Sequence, residues 1–135
     1  MFLFEFVVAG PPVSQQARRQ RRKEEWRGDV RAAAERYWRP GAPPTTGPLT
    51  VTIGYFYEYS PLDVDNVVKP ILDALIGLVY EDDAQVSDSI CRRRDLLGEF
   101  RIESLSPILA DGLDTGREFL YVRVEDAPIG GELIW

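Results

Sequence analysis

The stretch Asp63–Val86, DVDNVVKPILDALIGLVYEDDAQV, carries five aspartates and one glutamate against a single base, Lys69. Like charges repel and buried carboxylates are costly, so stability alone does not account for such crowding. Asp63 and Asp65 stand two apart at a strand-to-helix junction. In an extended segment alternate side chains point the same way, so both could reach one ion. Asp82 and Asp83 follow the helix in a turn, and meet the first pair only if the chain folds back. Carboxylates meeting around a hard cation, with waters completing its oxygen shell, describe a Mg²⁺ or Mn²⁺ site. Such a site can polarise a phosphate and acidify a bound water, so phosphodiester hydrolysis is within its chemistry.

Each residue also has a plainer reading. Asp65 could cap the helix, a contribution of about 1 kcal/mol. Lys69 lies four after Asp65 and four before Asp73, the spacing of surface ion pairs that contribute only tenths of a kcal/mol. Asp82 and Asp83 could be ordinary turn residues. The spacing alone leaves metal site and bland surface evenly balanced. Two other motifs fail: an EF-hand loop from Asp63 would need glycine where Val68 stands, and no GxxxxGK[ST] loop occurs.

Composition narrows the chemistry. The 135 residues contain no histidine and one cysteine, Cys91. Imidazole bases, Ser-His-Asp triads and most zinc sites are therefore excluded, and no internal disulfide can form, which suits a cytoplasmic setting. No apolar run approaches the roughly 20 residues of a membrane span. The net charge of −6 argues against a simple nucleic-acid binder. It conceals a division, however: residues 18–39 hold nine Arg or Lys against four acids, whereas residues 58–88 hold eight acids and only Lys69. The two segments could serve a polyanion and a cation, or be two solvated faces.

The elements that must position these residues follow from periodicity. Phe2, Phe4, Phe6 and Val8 alternate as in a strand that ends at Gly10–Pro12. A helix is expected from about Gln15 to Trp38, with Trp26, Val30, Ala33, Ala34, Tyr37 and Trp38 on one face and Ser14 as a candidate cap. Leu49 to Tyr59 alternate as a second strand, and a second helix starting near Asn66 would put Pro70 in its first turn. Gly77 is its expected terminator, and strands are expected at Gln85–Arg92 and Phe119–Val124. Asp95–Arg117 has a mixed pattern and receives no assignment. The order β-α-β-α-β-β implies a single α+β domain over 1–135, a two-layer fold with helices on one face of a mixed sheet of about four strands.

The run DVDNVVKPILDAL followed by YEDDAQV resembles the signature of the RusA-type Holliday junction resolvases, DxDNxxKxxxDAL and then DDxQV; GPPVS after the first strand is a weaker likeness. The resemblance implies a Mg²⁺-dependent endonuclease, Mn²⁺ being a possible substitute, that nicks four-way, branched DNA as a homodimer in recombination and repair. It implies Asp63, Asp65 and Asp83 as metal-binding carboxylates, Lys69 as the catalytic lysine and Asn66 as support for the site. Asp73, Asp82 and Gln85 match the motif with less defined roles, Asp73 being placed to orient Lys69. DNA contacts would come from Arg18, Arg19, Arg21, Arg22, Lys23 and Arg27, with Arg92, Arg93 and Arg94 as further candidates and Phe56 as a candidate interface residue. Departures from the pattern are the acidic YEYSP before Asp63, the overall negative charge and the length of residues 95–117. They leave a second reading: a non-catalytic module of this fold whose partner is a protein.

Overall fold

A computed structural model describes residues 2–59 and 61–133. Its elements run β1 (Leu3–Ala9), α1 (Gln20–Tyr37), β2 (Leu49–Tyr57), α2 (Val64–Ala74), β3 (Val86–Asp95), α3 (Pro107–Asp114) and β4 (Phe119–Asp126). The four strands form one mixed sheet in the order β1-β4-β2-β3, in which β4 is antiparallel to both neighbours and β3 is parallel to β2. Parallel neighbours need a long crossover, and α2 with its flanking loops supplies it. The α+β class and the four-stranded mixed sheet are therefore those expected from the sequence.

Strand alternation divides the side chains between two faces. Phe4, Phe6 and Val8, Val51, Ile53 and Tyr55, and Leu120, Val122 and Val124 are buried on one of them. Against these pack Trp26, Val30, Ala33 and Ala34 of α1 and Val67, Pro70, Ile71 and Ala74 of α2, each set at helical three- and four-residue steps. Burying a large aliphatic or aromatic side chain contributes about 1.5–3 kcal/mol, so this face carries most of the hydrophobic stabilisation. Arg31 of α1 ties the two helices together by donating from Nη1 to the carbonyl of Ile76 at 2.7 Å, just beyond the end of α2.

The opposite face is covered as well, in the stretch that sequence periodicity left unassigned. Phe56, Phe119 and Tyr121 form a second cluster with Leu109 of α3, and Phe100 and Ile102 pack on it. The expected pair of helices thus shares one face, and α3 adds a partial layer on the other. Its start was legible in Ser106, whose hydroxyl accepts from the Leu109 N–H at 3.1 Å, and in Pro107 at the first helical position. Phe56, a candidate interface residue from the sequence, is instead buried and stacked on Phe119, their centroids 4.8 Å apart.

Several boundaries move for identifiable reasons. Helix α1 starts at Gln20 rather than Gln15, and Ser14 caps nothing there, its hydroxyl accepting from the Gln16 N–H in a local turn. Helix α2 starts at Val64, so Pro70 lies further inside it than expected. The carbonyl that a Pro70 N–H would have bonded belongs to Asn66, and the Gln15 N–H takes it at 3.1 Å. Gly77 follows α2 at φ +84°, a left-handed conformation that glycine adopts without strain.

The α3 contact is tight enough to test. A Cβ on Gly112 would lie 2.4 Å from Cε2 of Phe119. Gly112→Val is expected to lower stability by about 1–3 kcal/mol through overpacking. Urea unfolding checks this, and an unchanged midpoint would mean that α3 is not seated on Phe119.

Candidate active site

Helix α2 presents the first half of the acidic motif. Asp63 is its N-cap residue and Asp65 lies in the first turn, both exposed, and the Asp63 side chain makes no capping hydrogen bond. One turn on, Lys69 projects from the same helix between two carboxylates. Its Nζ lies 2.9 Å from Oδ1 of Asp73 and 2.7 Å from Oδ2 of Asp83. The first contact is the i,i+4 pair anticipated from spacing. The second spans fourteen residues and joins the two halves of the motif.

Asp83 reaches Lys69 because the turn after the crossover is held rigidly. Asp82 caps a single 3-10 turn, Asp83–Gln85, by accepting from the Ala84 N–H at 3.1 Å. Gln85 closes the reciprocal half of that capping box, its Oε1 accepting from the N–H groups of Glu81 at 2.9 Å and Asp82 at 3.3 Å. Its Nε2 donates to the carbonyls of Thr45 at 3.0 Å and Gly47 at 3.1 Å, in the loop before β2. Asp82 and Gln85 thus hold the turn that carries Asp83, an arrangement that DDxQV spacing alone did not disclose. Beneath them the buried Tyr80 hydroxyl donates to the Leu72 carbonyl at 2.6 Å.

The electrostatics follow from these contacts. Hydrogen bonding to Asp83, then to Asp73, pushes the Lys69 ammonium well above the usual lysine range, so it stays charged at any physiological pH. Lys69 in turn holds the Asp83 carboxyl below the usual carboxylate range. Burial, with the nearby Asp83 and Asp73 charges, raises the Tyr80 phenol and keeps it neutral. The arginine trio proves to lie within β3, and alternation splits it. Arg93 faces the acidic site, donating to the Leu62 carbonyl at 3.0 Å with its Nη1 3.9 Å from Asp63. Arg92 and Arg94 point to the opposite face.

Among the described residues no three carboxylates or thiolates converge closely enough to enclose an ion. Asp83 is turned onto Lys69, while Asp63 and Asp65 remain open to solvent. That donor set still suits Mg²⁺, which is commonly held by one or two carboxylates plus waters and substrate phosphates rather than by a full protein cage.

The basic segment lies near by through the backbone. The Gln15–Asn66 bond fastens the chain ahead of α1 to the second residue after Val64 in α2. Arg18, Arg19, Arg21 and Arg22 are exposed and Lys23 and Arg27 half-buried. Arg21 spends part of its charge on Glu25 at 3.0 Å. Helix α1 has no side-chain cap and no acid in its first turn, so its free N–H groups and the arginines present positive potential together. Glu58, the acid in YEYSP, has a structural role: it accepts from the Glu118 N–H, while Glu118 accepts from the Glu58 N–H at 3.0 Å.

A family model described as endodeoxyribonuclease RusA matches residues 9–103, about two thirds of the chain. This chain belongs to the RusA endodeoxyribonuclease family. No curated protein matches it. Strand β4 lies beyond the matched span, yet it occupies the sheet between β1 and β2. No helix among the described residues is long and apolar enough to cross a membrane.

The Lys69–Asp83 pair predicts a pH dependence. Lys69 holds the folded-state carboxyl of Asp83 below the usual aspartate range, so its contribution is present above that range and is lost as pH falls through the folded value. Because the pair is substantially exposed, the contribution is at most about 1 kcal/mol. The stability gap between wild type and Asp83→Asn is expected to be widest near neutrality and to shrink towards pH 2. Denaturant melts across that range measure it, and a gap independent of pH would remove the pair as its source.

Proposed function

We propose that the chain is a divalent-metal-dependent nuclease that resolves four-way DNA junctions by paired phosphodiester hydrolysis as a homodimer, in recombination and repair. The observation that carries this reading is Lys69, held between Asp73 and Asp83 beside the open carboxylates at the start of α2. Asp63 and Asp65, with Asp83, would hold Mg²⁺, for which Mn²⁺ could substitute. Bound there, the ion supplies Lewis-acid polarisation of the scissile phosphate and a more acidic water. Lys69 places a permanent positive charge where negative charge develops on the phosphate and the leaving oxygen. Asp73 fixes the direction of that ammonium from one turn along α2. Asp82 and Gln85 keep Asp83 in reach, and Asn66 supports the site through its backbone, joining α2 to the basic segment.

Arg18, Arg19, Arg21, Arg22, Lys23 and Arg27 supply the phosphate contacts, in keeping with an uncapped helix start that attracts anions. Locating positive charge on this one segment lets an acidic protein bind DNA at a defined place, since affinity depends on local neutralisation of phosphates. Two copies would bring two such sites to one junction and allow paired nicks. Residues 1–135 form one domain in this reading, since β4 completes the sheet that α2 crosses, and the cytoplasm is its setting.

Cleavage of a labelled four-way junction and a matched duplex, with Mg²⁺, Mn²⁺ or EDTA, tests this. Paired nicks on the junction alone are expected, dependent on metal and lost in Asp65→Asn. Lys69→Ala is expected to lower kcat by about 10²–10³, the loss typical of removing one charge-stabilising donor. Cutting of both substrates would keep the nuclease and discard the junction preference. Neither cutting nor a gel shift would favour the non-catalytic module with a protein partner. For DNA contact, Arg18→Gln with Arg19→Gln is expected to weaken junction binding and reduce the salt slope by about 1–2, read from binding titrations at several salt concentrations.

A further inference from the structure

The face of the sheet opposite the acidic site holds a cavity of about 220 Å³ between β3, β4 and the segment leading to α3. Four guanidinium groups line it, those of Arg92, Arg94, Arg101 and Arg123, and no carboxylate does. Arg92, Arg94 and Arg101 make no ion pair among the described residues, whereas Arg123 gives Nη2 to Glu125 at 3.0 Å. The Arg123 Nε is buried with no hydrogen-bond partner, a cost a native structure meets where a ligand or water completes the site. In a chain of net charge −6 such a concentration is unexpected on a merely solvated face.

The floor is aromatic. Phe56 and Phe100 lie 5.5 Å apart between centroids, and the ring of the buried Tyr121 joins them. Gly54 keeps the floor open, because a Cβ there would approach Phe56 Cε2 to 3.0 Å. Arginines around an aromatic floor match a group that combines a phosphate with a planar ring. The cavity is smaller than the roughly 300–1,000 Å³ of sites for drug-sized ligands, which limits it to no more than one such unit. A paired base within a duplex has both faces covered and cannot enter; an unpaired nucleotide can.

We infer that this pocket binds one unpaired nucleotide, its base against the half-buried Phe100 over the aromatic floor and its phosphate on the arginines. The assignment rests on the reading of the chain as a DNA-binding protein and adds a strand contact on the face away from Asp63 and Asp65. The source favoured is a DNA strand, because Arg92 and Arg94 follow one another along the exposed sheet edge at the spacing of successive same-face residues.

The test is fluorescence anisotropy of the full chain with a short labelled oligothymidylate and with a matched duplex, at low salt in EDTA. Arg92→Gln with Arg94→Gln is expected to weaken single-strand binding roughly tenfold or more and duplex binding distinctly less. Arg101→Gln, in a segment outside the sheet, should do the same to a smaller degree. Phe100→Ala should weaken single-strand binding while leaving its salt slope unchanged, as removal of a stacking contact does. Displacement by thymidine 5′-monophosphate would assign the pocket to free nucleotides, and displacement only by unlabelled oligonucleotide to a strand. Unchanged single-strand affinity in all three variants, or equal loss for duplex and single strand, overturns the inference. Since no cleavage is read, a chain that never cuts a junction can still satisfy this test, and one that cuts can fail it.

Discussion

The Lys69 ammonium meets two carboxylates that enter from different directions, Asp73 along the same helix and Asp83 from the turn before β3. Without a cation between them, two carboxylates this close to one point would repel. The pair is too exposed to add much to global stability. Its effect is geometric. It ties the end of the crossover to the helix at whose start Asp63 and Asp65 stand, and so joins the two short segments of the motif. Everything that holds the turn in place then also holds Asp83 on Lys69, including Gln85 with its four backbone contacts to two loops.

Pro70 plays an analogous part within α2. A proline inside a helix leaves a carbonyl free and ordinarily weakens the helix. Here the freed carbonyl of Asn66 receives the Gln15 N–H, so the defect becomes the point at which the chain before α1 is fastened. The basic segment begins three residues further on, at Arg18. One irregularity in α2 thereby couples the acidic and basic parts of the protein, which no periodicity argument would have joined.

The charge pattern acquires a meaning from the sheet. Net charge describes the whole surface, yet phosphates respond to the potential within about a Debye length, roughly 10 Å. Arg18 to Arg27 concentrate positive charge at the uncapped start of α1, and strand alternation sends Arg93 to the acidic site and Arg92 and Arg94 to the other face. Acids that looked discordant have structural work instead. Glu58 and Glu118 satisfy each other's backbone N–H groups where β2 ends and β4 begins.

Alternation at Phe2–Val8 and Leu49–Tyr57 and the three- and four-residue steps of Trp26–Ala34 and Val67–Ala74 were legible without coordinates, because burial of one face imposes a period on the sequence. The same holds for the DVDN…K…D and EDDAQV spacing and for the absence of histidine, which together limited the chemistry to carboxylates and a lysine. Helix α3 was not legible by period, being only eight residues long with a glycine at its contact, although Ser106–Pro107 announced its start. Alone, the sequence determined which groups were available for chemistry and which elements would carry them. Only the tertiary structure decided that Lys69 joins Asp73 to Asp83, that Asn66 holds Gln15, and that neighbouring arginines serve opposite faces. Those outcomes depend on contacts between residues far apart in the chain, and local propensity carries no information about such distances.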